Sequence, residues 1–193
     1  MATRAGLGKI SRSSNIARFV QGGVVKTFRC TPLDFLMSTR DESLAALESL
    51  GVANVFADSY RSIKLPHNLD IHFGPPEEFF LAPDTQDVYT NGRLIPLLDD
   101  GNFGIVTFLD PDASNFVQMD VEVPEDSRTV LTSWQQYLAD VFIGIAESDT
   151  DDEELAVIAQ LIGFQHMDRT LQFMDSSPNS GWCEARAEFI ASL

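Results

Sequence analysis

The spacing of apolar residues changes period along this chain, and that change constrains the fold more than any other feature. Between Leu65 and Val123 apolar residues come in short runs with the two-residue alternation of half-buried strands, bounded by Pro, Gly and Asp. From Ser133 onward they recur at the three- and four-residue spacing of amphipathic helices. A strand block followed by a helix block is the pattern of an α+β domain, a mainly antiparallel sheet flanked by helices.

Five runs make up the strand block. Leu69, Ile71 and Phe73 alternate with Asp70 and His72, which predicts a strand over Leu65 to Phe73, with His72 on its solvent face, ended by Pro75-Pro76. The others cover Glu78 to Ala82, Arg93 to Leu98, Phe103 to Leu109 and Phe116 to Val123. Asp100-Gly101 is a pair that tight hairpins favour, because both central positions tolerate positive φ, so the last three runs are expected to form a meander. Pro96 has no amide hydrogen and predicts an edge strand or a bulge at its position.

Helices flank this block. Thr31 to Ser38 is expected to form a short one, and Asp41 to Leu50 a longer one with Leu44, Leu47 and Leu50 on one face and Gly51 as its C-cap. Ser133 and Gln136 have capping-box spacing ahead of Trp134, Tyr137, Leu138, Val141, Phe142 and Ile145, a stripe read as core. Thr150 and Glu153 repeat that spacing before a helix closed by Gly163, and Trp182 to Leu193 forms a last amphipathic helix. Phe164 to Met174 fits helix and strand equally.

A hydrophobic fraction of 44%, with 14 Phe in 193 residues, supports one packed domain over residues 24–193. Residues 1–23, rich in Ser, Arg and Gly, read as a basic flexible arm. The six basic residues Arg4, Lys9, Arg12, Arg18, Lys26 and Arg29 all precede the first acidic one, Asp34. Everything after residue 33 therefore sets all 29 acidic residues against 7 basic ones, a net charge of −22 on a chain whose total is −16. Such a body repels nucleic acid and membrane phosphate and attracts a basic protein. Cys30 and Cys183 lie far apart without metal-ligand spacing, and no apolar run reaches the roughly 18 residues of a membrane span. The expected setting is the cytoplasm, with no cofactor or metal, no membrane association, and monomer and homodimer both open.

The segment Leu94-Ile95-Pro96-Leu97-Leu98-Asp99-Asp100-Gly101-Asn102-Phe103-Gly104-Ile105-Val106 resembles the apolar strand, acidic Gly-containing turn and second strand of the SUKH superfamily. Val117 to Glu122 is similar to the strand that follows there, and Ser133-Trp134-Gln135-Gln136-Tyr137-Leu138 to its Ser-aromatic helix start. The likeness covers about residues 60–145 and leaves the C-terminal helices as additions. It implies the fold of SMI/KNR-type cell-wall regulators and bacterial immunity proteins. The bacterial members bind and neutralise toxins of nuclease or deaminase class.

No catalytic motif stands out. Gly6-Leu7-Gly8-Lys9 lacks both the first Gly and the hydroxyl residue of a P-loop. His67, His72 and His166 sit in no metal-binding arrangement, and no Gly-x-Ser-x-Gly elbow exists. Asp99, Asp100, Asp110 and Asp112 fall at two turns of the expected meander, which adjacent hairpin loops would place on one exposed edge as an acidic rim for a partner. Asp149, Asp151, Asp152 and Glu153 form a second acidic run, without the Gly of an EF-hand loop, placed to steer a basic partner or to complement a helix N-terminus. The expected function is non-catalytic: an immunity-type protein binding a basic toxin. The alternatives are a scaffold or regulator of the same fold and a hydrolase using the turn carboxylates with a metal.

Overall fold

The computed structural model describes residues 37–90, 93–148, 150–177 and 180–193, together with the backbone of 16–21 and 24–29. Ile16–Gln21 (β1), within the expected arm, and Val24–Arg29 (β2), at the start of the expected domain, pair antiparallel as a two-stranded ribbon. The rest of the arm, and the short helix expected over Thr31 to Ser38 except its last two residues, lie outside the described residues.

Thr39 opens the first helix, α1 (Arg40–Leu50), with a full capping box: its hydroxyl accepts from the Glu42 amide, and the Glu42 carboxylate accepts from the Thr39 amide at 2.8 Å. Gly51 ends it at φ +67°. A short helix absent from the sequence reading, α2 (Asn54–Tyr60), follows and buries Val55, Phe56 and Tyr60.

The strand expected over Leu65 to Phe73 is instead a kinked 3-10 segment, Pro66–Ile71, in which His67 and Asn68 take positive φ. That conformation coils the chain and buries Leu65, Leu69 and Phe73, at a spacing of four, while Ile71 stays 58% exposed. The expectation over-weighted Ile71. His72 is accordingly not on a strand face but caps this segment, half-buried. Glu78 to Ala82 is likewise not a strand: Pro75 and Pro76 lead into helix α3 (Glu77–Leu81), joined through a 3-10 turn to α4 (Gln86–Thr90).

The meander is present. Ile95–Asp99 (β3), Ile105–Asp110 (β4), Asn115–Asp120 (β5) and Thr129–Leu131 (β6) form an antiparallel sheet in the order β3-β4-β5-β6. β6 is a short edge strand with no signal in the sequence reading. β3 is the other edge, and its register against β4 shifts between Pro96 and Leu98, so the Pro has both features that it predicted. The bulge turns consecutive residues Leu97 and Leu98 into one core.

Trp134–Ala146 (α5), Asp152–Ile162 (α6), Met167–Ser176 (α7) and Trp182–Ala191 (α8) complete the chain. Ser133 caps α5 as expected, while the Gln136 side chain reaches the Thr132 amide rather than that of Ser133. Asp151, not Thr150, caps α6, and Gly163 ends it at φ +75°. The sheet separates two cores. Leu109, Phe116 and Leu131 pack with α1, α2 and α5 to α8, whereas Val106, Phe108, Val117 and Met119 pack with Phe79 and Leu94 on the opposite face. The fold is thus α+β, a four-stranded antiparallel meander flanked by helices.

Candidate functional site

Consecutive hairpins of a meander leave the sheet from opposite ends, and this separates the four turn carboxylates. Asp99 and Asp100 stand where β3 passes into β4; Asp110 is the last of the six residues of β4 and Asp112 follows it in the next turn, about 17 Å along the strand. The single edge expected for all four does not form. Each turn has its own use for its carboxylates: Asp110 Oδ1 accepts from the amides of Asp112 and Ala113, and Asp100 Oδ1 from those of Asn102 and Gly104.

The β3–β4 turn is five residues long rather than two. Gly101, at φ +80°, lies so close to the 3-10 segment that a Cβ would come within 2.6 Å of the Ile71 backbone. Phe103, at φ +55°, turns its ring into the smaller core against Phe79. The Val121 amide donates to the Gly104 carbonyl at 2.9 Å and joins this turn to the exit of β5. Asp99, Asp100, Asp120, Glu122, Glu125 and Asp126 therefore share one end of the sheet, and among the described residues none of them forms an ion pair. The second acidic run lies at the start of α6, where Asp151 accepts from the Glu154 amide, Asp152 and Glu153 occupy the first turn and Glu154 meets His67 at 2.8 Å. Asp149 lies outside the described residues.

Next to the β3–β4 turn, between the sheet and α5, is a cleft of about 180 Å³. Strand pairing sets Thr107 of β4 opposite Gln118 of β5 on the sheet face that α5 covers. From α5 come Tyr137, Asp140, Val141 and Gly144, the i, i+3, i+4, i+7 positions of one helical face. Arg186 of α8 closes one side, with Nη2 2.9 Å and Nε 3.1 Å from Asp140 Oδ1 and Nη2 also donating to the Asp140 carbonyl. Gln118 Nε2 donates to Asp140 Oδ2 at 3.2 Å.

Asp99 and Asp100 stand at the mouth. Burial pushes the Asp99 carboxyl up to about 6, against the Gly101 amide, which donates to Oδ1 at 2.9 Å; the charges of Asp100 and Glu77 raise it further. Burial lowers the imidazole of His72, which lines the same cleft. Tyr137 is buried, and its hydroxyl has no hydrogen-bond partner among the described residues. Burial, followed by the charges of Asp140 and Asp99, holds its phenol well above the ordinary range.

Of the candidate residues, Asp99 and Asp100 line this cleft. The helical spacing favours core over an interface anchor for Tyr137, and local patterning assigns no role to Thr107, Gln118, Asp140, Gly144 and Arg186. Two signals were present: a Thr between Val106 and Phe108 in an apolar strand, and an Asp with a Gly four residues on along the α5 stripe. Arg186 had none, since only the fold carries it to a residue 46 positions away. No match was found to any protein-family model, to the curated proteins or to the solved structures.

Proposed function

We propose that this chain is a non-catalytic binding protein that docks a basic partner on the acidic end of its sheet, and that the partner is a toxin of nuclease or deaminase class which it neutralises by contact. One observation supports the binding reading: six carboxylates from the β3–β4 turn and the β5–β6 connection share one end of the sheet, with Arg128 as the one basic residue of that connection, and none of the six forms an ion pair among the described residues. The arginines that form ion pairs are committed to other carboxylates: Arg40 to Glu77, Arg61 to Glu48 and Asp58, and Arg186 to Asp140 and Glu147. A charge left uncompensated at one end raises the rate of encounter with a basic surface and rejects acidic ones. The step from binding to toxin neutralisation rests on the SUKH resemblance over residues 60–145.

The test is co-expression with the protein encoded beside this chain, followed by capture at low and high salt. A basic protein should be retained, its association rate falling steeply with ionic strength, and cells should survive its expression only with this chain present. Replacing Asp120, Glu122, Glu125 and Asp126 together by Asn and Gln should slow association at least tenfold. Absence of capture and of protection would remove the reading.

A further inference from the structure

The strongest donor of the cleft beside the β3–β4 turn, the Arg186 guanidinium, is already committed. Arg186 is committed to Asp140 and, at 3.4 Å, to Glu147, and the Gln118 amide nitrogen is committed to Asp140. Acceptor capacity remains at the amide oxygen of Gln118 and the carboxylates of Asp99 and Asp100, and the buried Tyr137 hydroxyl, unpaired among the described residues, can accept as well as donate. The charge balance points the same way, since Asp99, Asp100 and Asp140 face the single cation Arg186. The complement of such a site is a donor-rich cation.

Its size limits that cation. At about 180 Å³ the cleft lies below the roughly 300–1,000 Å³ of pockets that hold drug-sized ligands, and it suits one long side chain. Gly144 supplies an independent observation. It lies in the interior of α5 without positive φ, and a Cβ on it would meet no atom within 4 Å. Neither backbone conformation nor crowding requires glycine there, although glycine weakens a helix interior. Its effect is open space on the cleft wall.

We infer that this cleft receives the cationic end of one arginine or lysine side chain of the bound partner, seated between Asp99 and Gln118 above the Tyr137 hydroxyl, with Gly144 keeping the space open. This rests on the basic-partner reading and gives it an anchor: Asp99 and Asp100 belong both to the cleft mouth and to the acidic end of the sheet. The rim charges steer the partner, and the cleft fixes its register.

The experiment titrates the full chain with N-acetyl-arginine amide and N-acetyl-lysine amide at millimolar concentration, with the neutral isostere N-acetyl-citrulline amide as control, by NMR. The cationic probes should shift the amides of Gly101, Thr107, Gln118 and Gly144 and lower the Asp99 carboxyl pKa from about 6, while citrulline should do neither. Gly144→Leu, which fills the cleft without altering a charge, and Asp99→Asn should each weaken probe binding at least tenfold. If Asp99→Asn does not hold its fold, Gly144→Leu alone decides. Shifts confined to Glu122, Glu125 and Asp126, or binding undiminished in Gly144→Leu, would overturn the inference. A basic partner held as tightly by Gly144→Leu as by wild type would overturn the anchor and leave the proposed function standing. Probes seated in the cleft of a chain that captures no basic protein would leave the cation preference standing and remove that function.

Discussion

Arg186 and Asp140, 46 residues apart in sequence, form the contact that fixes α8 against α5: two guanidinium nitrogens meet one carboxylate oxygen at 2.9 and 3.1 Å, with side chains 25% and 28% exposed. Exposed pairs contribute about 0–1 kcal/mol, and breaking a fully buried one costs about 3–5 kcal/mol. At this intermediate burial Arg186→Met, which keeps the apolar stem, should destabilise the protein by about 1–2 kcal/mol. Urea denaturation gives the value. The double variant with Asp140→Asn should recover part of the loss, because the stranded carboxylate is then gone.

Asp99 makes stability depend on pH in the direction opposite to that of a salt-bridged carboxylate. Its folded pKa of about 6 lies above its ordinary 3.8, so the folded state holds the proton more tightly than the unfolded chain. Its favourable contribution is complete below pH 4 and is lost as the pH rises through 6. The shift corresponds to about 3 kcal/mol without solvent screening, and the side chain's partial exposure reduces this to about 1 kcal/mol. Asp99→Asn retains an oxygen for the Gly101 amide, so it should be about 1 kcal/mol more stable than wild type at pH 7.5 and equal to it at pH 4. Paired urea titrations at the two pH values decide it; an equal difference at both would remove the assignment.

The sheet was legible because alternation, an Asp-Gly turn and one Pro each acted locally. Pro96 called for an edge or a bulge, and both are present. The same alternation misled at Leu69, Ile71 and Phe73, where Pro66 and two residues at positive φ coil the chain and only the first and third of the three are buried. The starts of α1, α5, α6 and α8 were legible to within a residue, Asp151 displacing Thr150 as a cap, whereas α2, α3 and α4 carried no helix signal. The acidic rim was half legible: charge could be counted from sequence, but which turns share an end of the sheet depends on strand order. The cleft depends on a cross-strand pair, one helical face and Arg186, and local patterning encodes none of these meetings.

Gly144 gives a stability prediction separate from any partner. In the interior of α5, with open space where a Cβ would lie, Gly144→Ala should lower the backbone entropy of the unfolded chain without creating a clash. The expected gain is about 0.5–1 kcal/mol, or roughly 1–4 °C in Tm for a chain of this size. Calorimetry checks it. A loss of stability would mean that the wall of the cleft is tighter than 4 Å implies.

Two buried tyrosines should respond oppositely to loss of the hydroxyl. Tyr60 donates to the Leu97 carbonyl at the β3 bulge, where the ladder to β4 is interrupted. Tyr60→Phe leaves that carbonyl without this donor, and an unsatisfied buried acceptor costs about 1–3 kcal/mol. Tyr137→Phe removes a hydroxyl that has no partner, so the buried polar group disappears and nothing is stranded. The first variant should be destabilised by about 1–2 kcal/mol, and the second should be neutral or slightly stabilised. Both rings keep their neighbours, Phe80 at 6.2 Å from Tyr60 and Trp134 at 4.4 Å from Tyr137, so the contrast isolates the hydroxyls. Urea midpoints of the two variants, measured side by side, test it: a loss at Tyr137 equal to that at Tyr60 would show that its hydroxyl is satisfied in solution and that the floor of the cleft offers no open acceptor.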